Sequence, residues 1–155
     1  YPQMPPPGEH TTAASEAILS GQVTEPPLQM HPFVGVTYLR LQGWSPEVCR
    51  AILSHANYSG VGRETLLEKT LAAVDELSSF VVAVALVRPT KSVFEVDVTA
   101  VRKKMKDKAF ARAVSRDEII HNAEALGMPL DEVIGHVIEG LRADAQRLGI
   151  AGSSA

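Results

Sequence analysis

The stretch TLLEKTLAAVDELSSFVVAVALV, residues 65–87, decides the fold class. Thr65 followed three residues later by Glu68 forms a capping box that opens a helix. Apolar residues then recur at Leu67, Leu71, Val74 and Leu77, a helical spacing. From Phe80 the stretch is apolar all round, as a buried helix would be. The β-branched run 81–87 also suits a strand, but no partner strand is evident elsewhere in the chain. The stretch therefore predicts a central core helix, ended by Arg88-Pro89-Thr90.

Working outward, the same signals recur. Downstream, residues 92–98 alternate apolar and polar and predict a short strand or an extended link. Residues 101–114 predict a basic helix with a break near Lys106-Asp107. Ser115-Arg116-Asp117-Glu118 caps a further helix that Gly127 stops, and Pro129 starts a last helix to Leu148. Upstream, Ser45-Pro46-Glu47 opens a helix to about Ala56, and residues 32–42 and 9–20 predict two more. Residues 1–8, with four prolines, and 22–30, with Pro26 and Pro27, predict loops; 149–155 predicts a flexible tail. The class is all-α, a bundle of about six to eight helices in a single domain over 1–155.

Composition narrows the function classes. With 155 residues, 45% apolar and 21% charged, the chain is long enough to bury a core without metal or disulfide. A net charge of −3 argues against a dedicated nucleic-acid binder. One cysteine, Cys49, excludes an intramolecular disulfide framework and suits a reducing, cytoplasmic compartment. The longest apolar run, 80–87, is far short of a membrane span, so no membrane partner is expected. The first residue is Tyr1, which suggests that the start of a longer protein is missing.

Three polar residues fall where the helical pattern wants apolar ones. Asp75 follows Leu71 and Val74 on or beside the buried face of its helix. A lone buried carboxylate costs several kcal/mol unless it is paired or metal-bound. His55 lies on the inner face of its helix near the end, and His31 sits at the mouth of another. Two imidazoles and a carboxylate suit a divalent ion, and helical bundles aim such ligands inward from different helices. By pattern alone, Asp75 equally suits a buried partner for Arg50 or Arg63, and each histidine a core or helix-end position. Cys49 and His55 do not share a face, so they form no nucleophile pair; Cys49, His121 and His136 read as packing or surface residues.

The run His31-Pro32-Phe33-Val34-Gly35-Val36-Thr37-Tyr38-Leu39 resembles the "H-P-x-x-G-x-x-x-L" helix start of HD-domain metal-dependent phosphohydrolases. Ala51-Ile52-Leu53-Ser54-His55-Ala56 is similar to that superfamily's "A-I-x-x-H" segment, and Leu71-Ala72-Ala73-Val74-Asp75-Glu76-Leu77 to its "A-x-D-x-L" helix. Residues 87–110 look like a bacterial and archaeal subgroup of HD hydrolases. The resemblance implies an HD-type helical bundle, of which this chain is the C-terminal part. It implies one or two divalent ions (Mn, Fe, Zn, Ni or Mg) held by His31, His55 and Asp75, with Asp75 also catalytic. The defining His-Asp dipeptide occurs nowhere in the 155 residues, so residues before Tyr1 are expected to supply it.

The implied chemistry is hydrolysis of a small phosphate ester or nucleotide, with metal-bound water as nucleophile. Arg88, Lys91, Lys103 and Lys104 are candidate holders of the substrate phosphate. The basic run 102–108 also reads as a solvated helix face or as a nonspecific RNA or DNA contact. This fragment alone is expected to be inactive. The rival reading is a non-catalytic helical interaction module.

Overall fold

In a computed structural model of the chain, the structure describes residues 9–152. The loop expected at 1–8 and the last three residues of the expected tail lie outside them. The described residues form seven α-helices: α1 (Glu9–Ser20), α2 (Phe33–Leu41), α3 (Pro46–His55), α4 (Leu66–Leu86), α5 (Val98–Met105), α6 (Arg116–Leu126) and α7 (Leu130–Ala143). They contain no strand, and the protein is all-α. No described helix is long and apolar enough to cross a membrane.

Local chemistry sets most helix starts. Ser45 accepts a hydrogen bond from the Val48 amide at 3.4 Å, and Ser115 one from the Glu118 amide at 3.2 Å. At α4 the Glu68 carboxylate accepts from the Thr65 amide at 2.8 Å while the Glu68 amide donates to Thr65 Oγ1 at 3.3 Å. Gly127 ends α6 in a left-handed conformation, φ 76°. The run 81–87 is helical through Leu86; Val81, Val84 and Ala85 are fully buried with Phe80, whereas Leu86 and Val87 at its end are exposed.

Four expectations change. A strand or extended link at 92–98 is replaced by a 3-10 turn, Val93–Glu95, after which Asp97 caps α5 through the Ala100 amide at 2.7 Å. That cap starts the basic helix three residues earlier than expected, and the helix ends at Met105, so that 107–114 forms turns in place of the expected helix. Helix α7 stops at Ala143 rather than Leu148. The segment 149–152 is held rather than frayed: Ile150 is buried, its carbonyl accepts from the Val93 amide at 2.8 Å, and Ser92 Oγ donates to the Ala151 carbonyl at 2.9 Å.

The chain forms two compact units, one ending at Ala72 and one starting at Ala73. The first has its own core of Ile18, Phe33, Val36, Cys49 and Leu53 on α1–α3, joined by Tyr58. The second is built around Leu77, Phe80, Val81 and Val84 of α4, with Ile134 and Val137 of α7.

Candidate functional site

Helix α3 ends at His55, and the chain just before α2 carries His31. The first unit brings them together across 24 residues. His31 Nε2 stands 2.9 Å from His55 Nε2, with ring centroids 4.9 Å apart and planes at 68°. His31 is exposed and His55 half-buried, so the nitrogens meet at the surface.

His55 is held through its ring by a backbone carbonyl, and His31 through its own carbonyl by a side chain. His55 Nδ1 bonds the Ile52 carbonyl, which only accepts, so the proton sits on Nδ1 and the Nε2 lone pair faces His31. Tyr58 donates its hydroxyl to the His31 carbonyl, and burial pushes the Tyr58 phenol up, keeping it a donor. Arg63 fastens the end of α3. It donates to the carbonyls of Ser54 and His55, each at 2.8 Å, and to Asn57 Oδ1 at 2.6 Å.

The same unit holds a buried charge. Glu68 is 1% exposed. Its carboxylate takes the Glu64 and Thr65 amides at 2.7 and 2.8 Å and the Arg50 guanidinium. Burial alone would raise its pKa, but the Thr65 and Glu64 amides and Arg50 outweigh it and lower the value to about 2. Arg50 also reaches Glu64 Oε1 at 3.0 Å and the Gly62 carbonyl at 3.2 Å. The buried carboxylate of α4 is therefore Glu68, which the sequence presented only as a capping residue.

Asp75 departs from its expected setting. It belongs to the second unit and is exposed rather than on the buried face. The faces of α4 that bury Leu77 and Phe80 exclude it. Next to it, Glu76 has its carboxyl raised by burial, then by Glu118 and Asp75, against a hydrogen bond from the Ser115 amide. Among the described residues no group of three or more His, Cys, Asp or Glu side chains is placed to hold a metal ion.

The imidazole pair does suit two ligands of one ion. Cis ligands about 2.1 Å from an octahedral ion stand about 3.0 Å apart, and tetrahedral ones about 3.4 Å. The Ile52 carbonyl behind His55 is the usual outer partner of a ligating histidine. The same 2.9 Å suits a hydrogen bond in which His31 Nε2 donates to His55 Nε2.

The expected phosphate holders all belong to the second unit. Lys91 and Lys103 are exposed and Arg88 is half-buried. Lys104 is partly engaged, 4.0 Å from the Asp107 carboxylate and 4.7 Å from the Phe110 ring centroid. Cys49 is fully buried, as a core residue should be, and His121 and His136 are exposed. Sequence reasoning missed Tyr58 as a holder of His31 and Arg63 as the clamp on α3. Its one available signal was Tyr58 lying three residues after His55. No family model, curated protein or solved structure matches the chain.

Proposed function

We propose that the chain carries part of the metal centre of an HD-type phosphohydrolase, with His31 and His55 as ligands to a divalent cation. The supporting observation is the 2.9 Å approach of two Nε2 atoms, one with its tautomer set by a backbone carbonyl. When bound, the ion supplies Lewis acidity toward a phosphate ester and an acidified water. Ile52 orients His55, Tyr58 orients the segment bearing His31, and Arg63 keeps the end of α3 in place. Asp75, Arg88, Lys91, Lys103 and Lys104, which the resemblance adds to the site, belong to the other unit and are left out of this centre. A cytoplasmic location goes with this reading.

Nickel titration by calorimetry tests it. One nickel ion per chain should bind, and His31→Ala and His55→Ala should each abolish binding. Nickel bound equally well by the wild type and both variants would overturn the assignment. So would hydrolysis of p-nitrophenyl phosphate by this protein that persists in strong chelator.

A second reading is a non-catalytic interaction module of the same helices. Two gathered ligands rather than three, and the exposed position of Asp75, favour it. It predicts no nickel binding at the pair, with His31 and His55 acting only as hydrogen-bond partners.

A further inference from the structure

Residues 102–116 read RKKMKDKAFARAVSR, with seven Lys and Arg against one Asp, in a chain of net charge −3. Such local reversal of sign marks a surface for an anionic partner. Three of the seven cations serve the fold. Arg116 donates to the carbonyls of Ala111 and Val114, each at 2.7 Å, to that of Asp107 at 3.3 Å and to that of Phe110, and its guanidinium lies 4.7 Å from the Phe80 ring centroid. Arg102 pairs with Asp131 at 3.3 Å, and Lys104 lies against Asp107 and Phe110. Lys103, Lys106, Lys108 and Arg112 are exposed and, among the described residues, pair with no carboxylate.

The loop that carries these cations is held in one shape. Ala111 has φ 43°, a left-handed conformation that a residue with a Cβ adopts at a cost. Arg116 ties the carbonyls around it, and the Asp107 carboxylate takes the Ala109 and Phe110 amides at 3.0 and 3.3 Å. The backbone that presents Lys108 and Arg112 therefore loses little freedom on binding. The large apolar residues of the segment, Met105, Phe110 and Val114, pack on the core of the second unit. Within 102–116 that leaves no exposed large apolar residue to enter a bilayer and no exposed ring to stack on bases. A single phosphate meets one or two cations, whereas four spread from α5 into the loop suit a row of phosphates.

We infer that Lys103 on α5, with Lys106, Lys108 and Arg112 of the Arg116-tied segment that follows, binds the phosphate backbone of duplex nucleic acid without sequence preference. This surface lies wholly in the second unit and does not rest on the metal reading.

Fluorescence anisotropy of a labelled duplex of about 20 base pairs across a salt series tests it. Four phosphate contacts give a slope of log K against log salt of about −3.6, and K106Q/K108Q/R112Q should bring it to about −0.9. The same variant should bind at least about tenfold more weakly at low salt. A109D/A113D adds negative charge at two exposed alanines while leaving every cation in place, and should also weaken binding. H31A/H55A should bind the duplex like the wild type. No binding at low salt overturns the inference, as does an unchanged slope in a K106Q/K108Q/R112Q protein with native circular dichroism. Capture by phosphatidylserine vesicles without duplex binding also overturns it.

Discussion

The two units are held together by different means. In the first, side chains grip backbone: Arg63 on the end of α3, Tyr58 on His31, and Glu68 on two amides and Arg50. In the second, a larger apolar core around Phe80 and Val84 carries the structure, and polar ties fasten its edges. Arg142 on the carbonyls of Phe94 and Val96, at 3.2 and 2.9 Å, and Arg116 on its loop are such ties. Apolar burial is non-directional and tolerates small shifts, whereas hydrogen bonds to named carbonyls fix positions. The unit in which two imidazoles meet is the one with the smaller apolar core and these directional contacts.

The sharpest way to break this contrast is Phe80→Ala. Phe80 is fully buried, meets Phe110 edge to face at 5.4 Å and carries Arg116 on its ring. The loss should be about 4 kcal/mol. Amide exchange should then rise mainly in residues 73–152; an equal rise in 9–72 would mean that the two cores unfold as one.

Next comes Glu68→Gln, which leaves Arg50 without its buried partner and should cost about 3 kcal/mol in denaturant unfolding. The wild type reaches the same end by acid. The Glu68 pKa is lowered in the fold to about 2, from 4.5. Its stabilisation is present above pH 4.5 and is lost as pH falls toward 2, up to ~3 kcal/mol in all. Glu68→Gln should flatten that acid limb, and a limb as steep as in the wild type would place the acid sensitivity elsewhere.

Arg63→Met removes donors to two carbonyls and Asn57, with an expected cost of about 1–2 kcal/mol. The expected signature is nickel affinity falling more than stability, because the end of α3 that aims His55 loosens. Affinity unchanged at lowered stability would make Arg63 a staple of the fold only. The smallest effect is expected from Ser92→Ala, about 1 kcal/mol, read as faster exchange at the Val93 amide.

Much of the helical framework was legible because its signals are local. The caps at Ser45, Thr65 and Ser115 and the stop at Gly127 lie within a few residues of the bonds they make. The candidate site was legible only in part. His31 and His55 stand out in the sequence and they meet, but the helical pattern misplaces Asp75, which is exposed. Periodicity set Asp75 beside the inner stripe, whereas the buried sector of α4 turns away from it. Residues 92–98 misled for a related reason. Their alternation reflects Val93 and Val96 entering the core from a turn rather than from a strand.

The sequence by itself determined the all-α class, the places where most helices start and stop, and the candidacy of two histidines. These follow from hydrogen bonds and apolar spacing within a turn or two of chain. Only the tertiary structure decided that His31 and His55 face each other across 24 residues, that Arg50 is the partner of Glu68, that the chain has two cores, and that Ile150 closes onto Val93. Such pairings join residues far apart in the chain. Their energy comes from the packing that brings them together, and no periodic pattern records which distant side chains will meet.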